Sequence, residues 1–128
     1  WHDKGFAYKD HGWCLPLDYY HYCISKLPTN TKLIFVTDDK NFVRKNFKKY
    51  KNAYLSEKNE IIDFSLSSLC KYKITANSTF SQISSFLFYK KNDVVYAPKY
   101  NIGWHKKVWY PKNFLVSNFQ YIDINSLI

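Results

Sequence analysis

Arginine is almost missing from this 128-residue chain: Arg44 is the only one, although Lys and Arg together number 19 and the formal net charge is +9. Proteins that read DNA sequence lean on the bidentate arginine fork, and no nucleic-acid module pattern is present. The lysines therefore read as a solvated surface with a general attraction for anions, whether phosphorylated ligands or anionic membranes. Cysteine is scarce too. Cys14, Cys23 and Cys70 are odd in number and form no C-x-x-C, which supports neither a disulfide framework nor a zinc knuckle. A reducing compartment fits, and a cytoplasmic location is expected. No run of about 18 apolar residues suggests a membrane span, and no signal peptide is visible. The chain starts at Trp1 rather than Met and reads as a fragment. Ligand-type histidine spacing is lacking: His11-x-x-Cys14 with His2 is the nearest approach, and no metal is expected. There is no G-x-S-x-G, no G-x-G-x-x-G and no Walker loop.

What is present is a folded composition, 46% hydrophobic and 20% aromatic, read as one domain over residues 1–128 that buries roughly two thirds of its unfolded surface. Trp1–Trp13 reads as an aromatic loop. Pro16 opens a helix over Leu17–Leu27 in which Tyr20, Cys23, Ile24 and Leu27 share a face. "KLIFVT" (Lys32–Thr37) is a buried strand candidate, and Asp38 or Asp39 can cap a helix over Lys40–Phe47. "NAYLS" (Asn52–Ser56) is a short strand. Asn59 can cap a helix over Glu60–Lys71 with Ile62, Leu66, Leu69 and Cys70 as its apolar face. Strand Tyr72–Ala76, helix Thr79–Tyr89, strand Val94–Ala97 and a last strand in "FQYIDI" follow. The alternation predicts an α/β fold: a Rossmann-like, mostly parallel sheet with helices on both faces.

The stretch "ANSTFSQISS" (Ala76–Ser85) looks least like packing. It lies between a strand and the next helix, where open α/β sheets bind ligands. Thr79-x-x-Gln82 matches a capping box. The helix's first N–H groups, with the hydroxyls of Ser78, Thr79 and Ser81, suit an anion; equally, such residues serve as a plain helix cap. Asp38 and Asp39 close the first strand and can either meet a ribose or base or act as cap and surface charge. Asp63 sits among Ile61, Ile62 and Phe64 in the first turns of its helix, and a carboxylate there needs a donor or solvent.

In their order, "LDYYHYCISKL", "KLIFVTDDKNFVRKNF", "EIIDFSLSSLCKYKITANSTFSQISSFL", "VVYAPKYNIGW" and "WYPKNF" resemble the C-terminal, donor-binding half of glycosyltransferase family 11, the α-1,2-fucosyltransferase-like enzymes. The resemblance runs from about Leu17 to Phe114, and "IxANSTFS" after an acidic helix ending in "LC" is its most specific part. It implies one Rossmann-like half of a GT-B enzyme, GDP-fucose as donor, inverting transfer to a glycan or lipopolysaccharide-type hydroxyl, no metal, and peripheral association with a membrane as an option. It also implies a donor site made of Asn77, Ser78, Thr79 and Ser81 near the diphosphate. Phe80 would fix the loop, Asp63 would lie at the guanine, and Asp38 or Asp39 on the nucleotide side. The family's arginine motif H-x-R-R-x-D is expected just upstream of Trp1, and Arg44 is no substitute for it. Where the family continues with paired tryptophans, this chain has Gln82-Ile83-Ser84-Ser85, which leaves the phosphate end intact and alters the sugar side. No catalytic base is identified. A non-catalytic nucleotide-sugar- or glycan-binding module is the alternative reading, and nucleic-acid binding through the lysines a weaker one.

Overall fold

The computed structural model describes residues 14–128; the aromatic stretch Trp1–Trp13, with His2 and His11, lies outside the described residues. Four α-helices and five short strands alternate among those described: α1 (Leu17–Ser25), β1 (Leu33–Phe35), α2 (Lys40–Asn46), β2 (Ala53–Leu55), α3 (Glu60–Leu69), β3 (Tyr72–Ile74), α4 (Thr79–Leu87), β4 (Val94–Pro98) and β5 (Gln120–Ile122). All strand pairs are parallel, as the alternation predicts. The expected single sheet, however, is two small ones: β1 beside β2, and β3-β4-β5 in that order. The chain is thus mixed α/β with small parallel sheets.

Helix starts cut the first strands short. The N-cap follows four residues after the strand in each of three successive turns: Asp39 after Phe35, Asn59 after Leu55, Ser78 after Ile74. Asp39 accepts from the Phe42 N–H at 2.9 Å and Asn59 from the Ile62 N–H at 3.0 Å. Each satisfies a first-turn donor that the helix cannot.

Helix α1 spans the two sheets. Tyr19 and Cys23, one turn apart, are fully buried, and the Tyr19 hydroxyl donates to the Thr75 carbonyl just past β3 at 2.8 Å. Tyr19 lies outside the expected stripe; a phenol goes deepest here because its polar tip finds an acceptor. Burial raises the Tyr19 pKa and pushes the Cys23 thiol up to about 12. On its other flank Tyr20 meets Phe47, with centroids 6.0 Å apart, and Phe47 packs at 4.7 Å from Phe35 of β1. Leu15, Trp104 and Ile124 complete the core beneath α1, while Val95, Ala97 and Phe119 form a second cluster around β4.

Two expectations about burial fail. The β1–β2 strands are not covered on both faces: the register partners Ile34 and Tyr54 stay 46% and 60% exposed. In α3 the predicted inner stripe is only partly inside: Leu66 and Cys70 are half-buried, Ile62 and Leu69 are exposed, and Asp63 is the buried residue. Helix α4 does the same, burying Gln82, Ser84 and Ser85 while Phe86 and Leu87 face water. The inward polar groups are satisfied. Ser84 and Ser85 donate back to the Ser81 carbonyl, and Ser56 donates to Asp63, which removes the usual penalty for burying them.

Candidate functional site

Three βα turns of equal length deliver the predicted residues to the carboxyl ends of β1, β2 and β3. Side-chain contacts join neighbouring turns and the helices they start. From the first turn, Lys40 reaches Glu57 in the second at 2.8 Å, and Arg44 joins the same carboxylate at 2.7 Å. Hydrogen bonding to the Lys40 ammonium, with Arg44 beside it, holds the Glu57 carboxyl below its usual range. Next to Glu57, Ser56 donates to the buried Asp63 carboxylate. Next to Asp63, the Phe64 ring meets Phe80 edge-on at 5.4 Å, and Phe80 is the second residue of α4, beside Ser78 and Thr79. Side-chain contacts thus join the first turn and α2 to the second turn, and α3 to α4, while the three turns lie at the carboxyl ends of β1, β2 and β3.

Within that edge the roles divide. Asp38 is exposed. Asp39 spends one oxygen on its helix cap, and its own N–H donates to Thr37 Oγ1 at 3.0 Å. Asp63, 7% exposed, has Ser56 as its one side-chain hydrogen-bond partner among the described residues and no ion-pair partner there. A ligand donor thus competes with, or adds to, the Ser56 hydroxyl. Asn77 is half-buried. Ser78 and Thr79 are exposed, and the Ser78 side chain makes no cap bond. Their hydroxyls sit beside first-turn N–H groups that have no acceptor within the helix, an arrangement that favours negative charge.

Ser81 differs from the expectation. Its hydroxyl accepts from the Ala76 N–H at 3.2 Å and donates within the turn, to the Ser78 carbonyl at 3.0 Å or the Ala76 carbonyl at 3.3 Å. It ties the turn together and offers no spare donor to a phosphate. The capping box is also displaced. Ser78, not Thr79, is the N-cap, and Gln82 does not reach back to it. Instead Gln82 Nε2 donates to the Ala76 carbonyl at 3.0 Å and to Asn101 Oδ1 at 2.9 Å, locking the end of β3 to the loop after β4. Phe80 is half-buried and meets Phe64 edge-on.

Ser56, Glu57 and Asn101 are absent from the sequence expectations. Ser56 had a usable signal, since it directly follows a strand and precedes Asp63 by seven residues; Asn101 had none, as it lies 19 residues from Gln82. A shallow hollow of about 470 Å³ on the open β1–β2 face is lined by Ile34, Tyr54 and Leu66 and reaches Ser56 and Glu57. Another, of about 380 Å³, lies at the opposite end of β1 and β2 around His21, Tyr50 and Asn52. Neither includes Asn77–Ser81. Among the described residues no three His, Cys, Asp or Glu side chains cluster as metal ligands would, and no helix is long and apolar enough to cross a membrane. Compared with protein-family models, curated proteins and solved structures, the chain matches none of them.

Proposed function

We propose that this chain is the donor-binding part of a fucosyltransferase-like glycosyltransferase, holding a GDP-sugar at the carboxyl edge of β1, β2 and β3. The observation that carries the reading is the exposed helix start at Ser78–Thr79 together with the buried Asp63 carboxylate of the neighbouring βα turn, its helix joined to α4 through Phe64 and Phe80. The helix start suits a diphosphate, and the carboxylate, which retains acceptor capacity, suits the N–H edge of a base or a sugar hydroxyl. The hollow beside Ser56 supplies an apolar wall of the kind a flat base packs against. In this reading the chain's residues orient the donor and hold its diphosphate, and displacement at the anomeric carbon by an acceptor hydroxyl follows from that alignment.

A second reading is a nucleotide-sugar-binding module without catalysis, which uses the same turn residues and needs no arginine clamp on a leaving diphosphate. Arg44 is an exposed residue paired with Glu57 at 2.7 Å. GDP is expected to raise the melting temperature more than UDP or ADP does. A ligand at 100 times its dissociation constant adds about 2.7 kcal/mol. Asp63→Asn and Thr79→Ala should each reduce that shift. Equal shifts from all three nucleotides, or none, would remove the donor-site assignment. Fucosyl transfer from GDP-fucose separates the enzyme from the module.

A further inference from the structure

We propose that the C-terminal ends of α3 and α4 form a docking surface for anionic lipid bilayers. Helix α4 turns Gln82, Ser84 and Ser85 inward, and both helices leave large apolar residues at their C-terminal ends facing water: Leu69 is 72% exposed, Leu87 60% and Phe86 53%. Single exposed apolar residues are ordinary, but a group of large ones at one end of two packed helices marks a contact surface.

The charges around this group select the occupant. Lys71, Lys90 and Lys91 are all exposed, and they sit at the same edge as the helix ends. The Val94 N–H donates to the Lys71 carbonyl at 2.9 Å, and the Asp93 N–H closes the Lys90–Asp93 turn at 2.8 Å. From Leu69 to Asp93 the only acidic residue is Asp93, and its carboxylate is turned inward onto Lys73 at 2.5 Å, 6% exposed. The fully exposed charges between Leu69 and Asp93 are therefore all cationic. A second copy would bring the same lysines face to face, which repels. A bilayer with anionic headgroups meets both features: apolar side chains enter the headgroup–acyl boundary, while lysines pair with the headgroups. The surface lies at the amino ends of β3 and β4, away from the carboxyl edge that carries Ser78 and Thr79, so it stands apart from the proposed donor site.

Co-sedimentation of the chain with phosphatidylcholine vesicles, with and without phosphatidylserine, tests this. Binding is expected only with phosphatidylserine and should weaken as salt rises. Replacing Leu69, Phe86 and Leu87 with Ser should lower partitioning by about tenfold or more. Replacing Lys71, Lys90 and Lys91 with Gln should do the same. A control with Lys58, Lys106 and Lys112 replaced by Gln, the same change of charge at other exposed positions, should retain binding. All the altered side chains are exposed, and an unchanged urea midpoint verifies folding. Equal loss in the control, binding to neutral vesicles alone, or no binding would overturn the proposal. So would a concentration-dependent dimer abolished by Leu87→Ser without any vesicle binding.

Discussion

Gln82 is expected to be the most costly single polar side chain to lose in α4, and Gln82→Leu tests why. Its amide is 5% exposed and donates to two acceptors, the Ala76 carbonyl at 3.0 Å and Asn101 Oδ1 at 2.9 Å. A carbonyl oxygen can only accept, so the nitrogen must face it. Leucine has similar bulk and no donor. Asn101, itself 6% exposed, then keeps an orphaned oxygen, at a cost of about 1–3 kcal/mol. The Ala76 carbonyl is partly protected because the Ser81 hydroxyl lies 3.3 Å away and can turn to it. The net loss should be about 2–3 kcal/mol, a large share of the 5–15 kcal/mol typical of a domain.

The assay is urea unfolding, read as a lower midpoint at unchanged slope. Two companions sharpen it. In Gln82→Leu with Ser81→Ala, the Ala76 carbonyl loses both donors, so the combined cost should exceed the sum of the single costs. Gln82→Glu sets a carboxylate against two oxygens, which raises its folded-state pKa above the unfolded value near 4.3. Its stability relative to the parent is therefore fullest below the unfolded pKa and is lost as pH rises through the folded one. A Gln82→Leu variant within about 0.5 kcal/mol of the parent, additive with Ser81→Ala, would refute the account.

Three further outcomes are expected. Asp93→Ala should cost about 3–5 kcal/mol because it leaves the Lys73 ammonium buried and alone, whereas Lys73→Met with Asp93→Leu should come close to the parent; urea midpoints of the two variants and the parent decide. Burial pushes the Asp93 carboxyl up, but the Lys73 ammonium and the Lys90 N–H outweigh it and hold the pKa below its usual value. Stability from this group is thus present above the unfolded pKa and lost as pH falls through the folded one, a loss that Asp93→Asn should not show in acid unfolding curves. Gly103→Ala should cost about 1–3 kcal/mol, since its Cβ would lie 2.0 Å from the Val108 carbonyl oxygen and the backbone there must move; calorimetry will show it. Asp39→Ala should lower stability by about 1 kcal/mol by removing the acceptor for the Phe42 N–H, a change measurable in the same urea series.

The parts of the fold that were legible are those set by near neighbours. Asp39 and Asn59 were readable as caps because a cap acts on an N–H three residues on. The strand–helix alternation was readable because β-branched runs and capping residues are both local. Burial of α3 and α4 was not. A helical stripe is assigned on the premise that apolar residues go inside, and Asp63 and Gln82 reverse it only because Ser56 and Asn101 wait for them elsewhere in the chain. The division into two sheets was equally hidden, since it depends on which strands pair and not on what each strand contains.

The same distinction runs through the candidate site. Hydroxyls and carboxylates at strand ends are easy to find in a sequence, but whether they are spare is a question of partners. Ser81 and Asp39 have theirs within a few residues, so their structural duty was in principle readable. Asp63 has one side-chain hydrogen-bond partner among the described residues and retains acceptor capacity, while Ser78 and Thr79 are exposed at a helix start. The "QISS" stretch resolves in the same way. Gln82, Ser84 and Ser85 all face inward and are hydrogen-bonded within the chain, so these residues hold the turn in place and do not offer themselves to a sugar. For the proposed donor site, the exposed Thr79 and Asp38 are therefore better positions than Ser84 or Ser85 at which to seek an effect on donor binding.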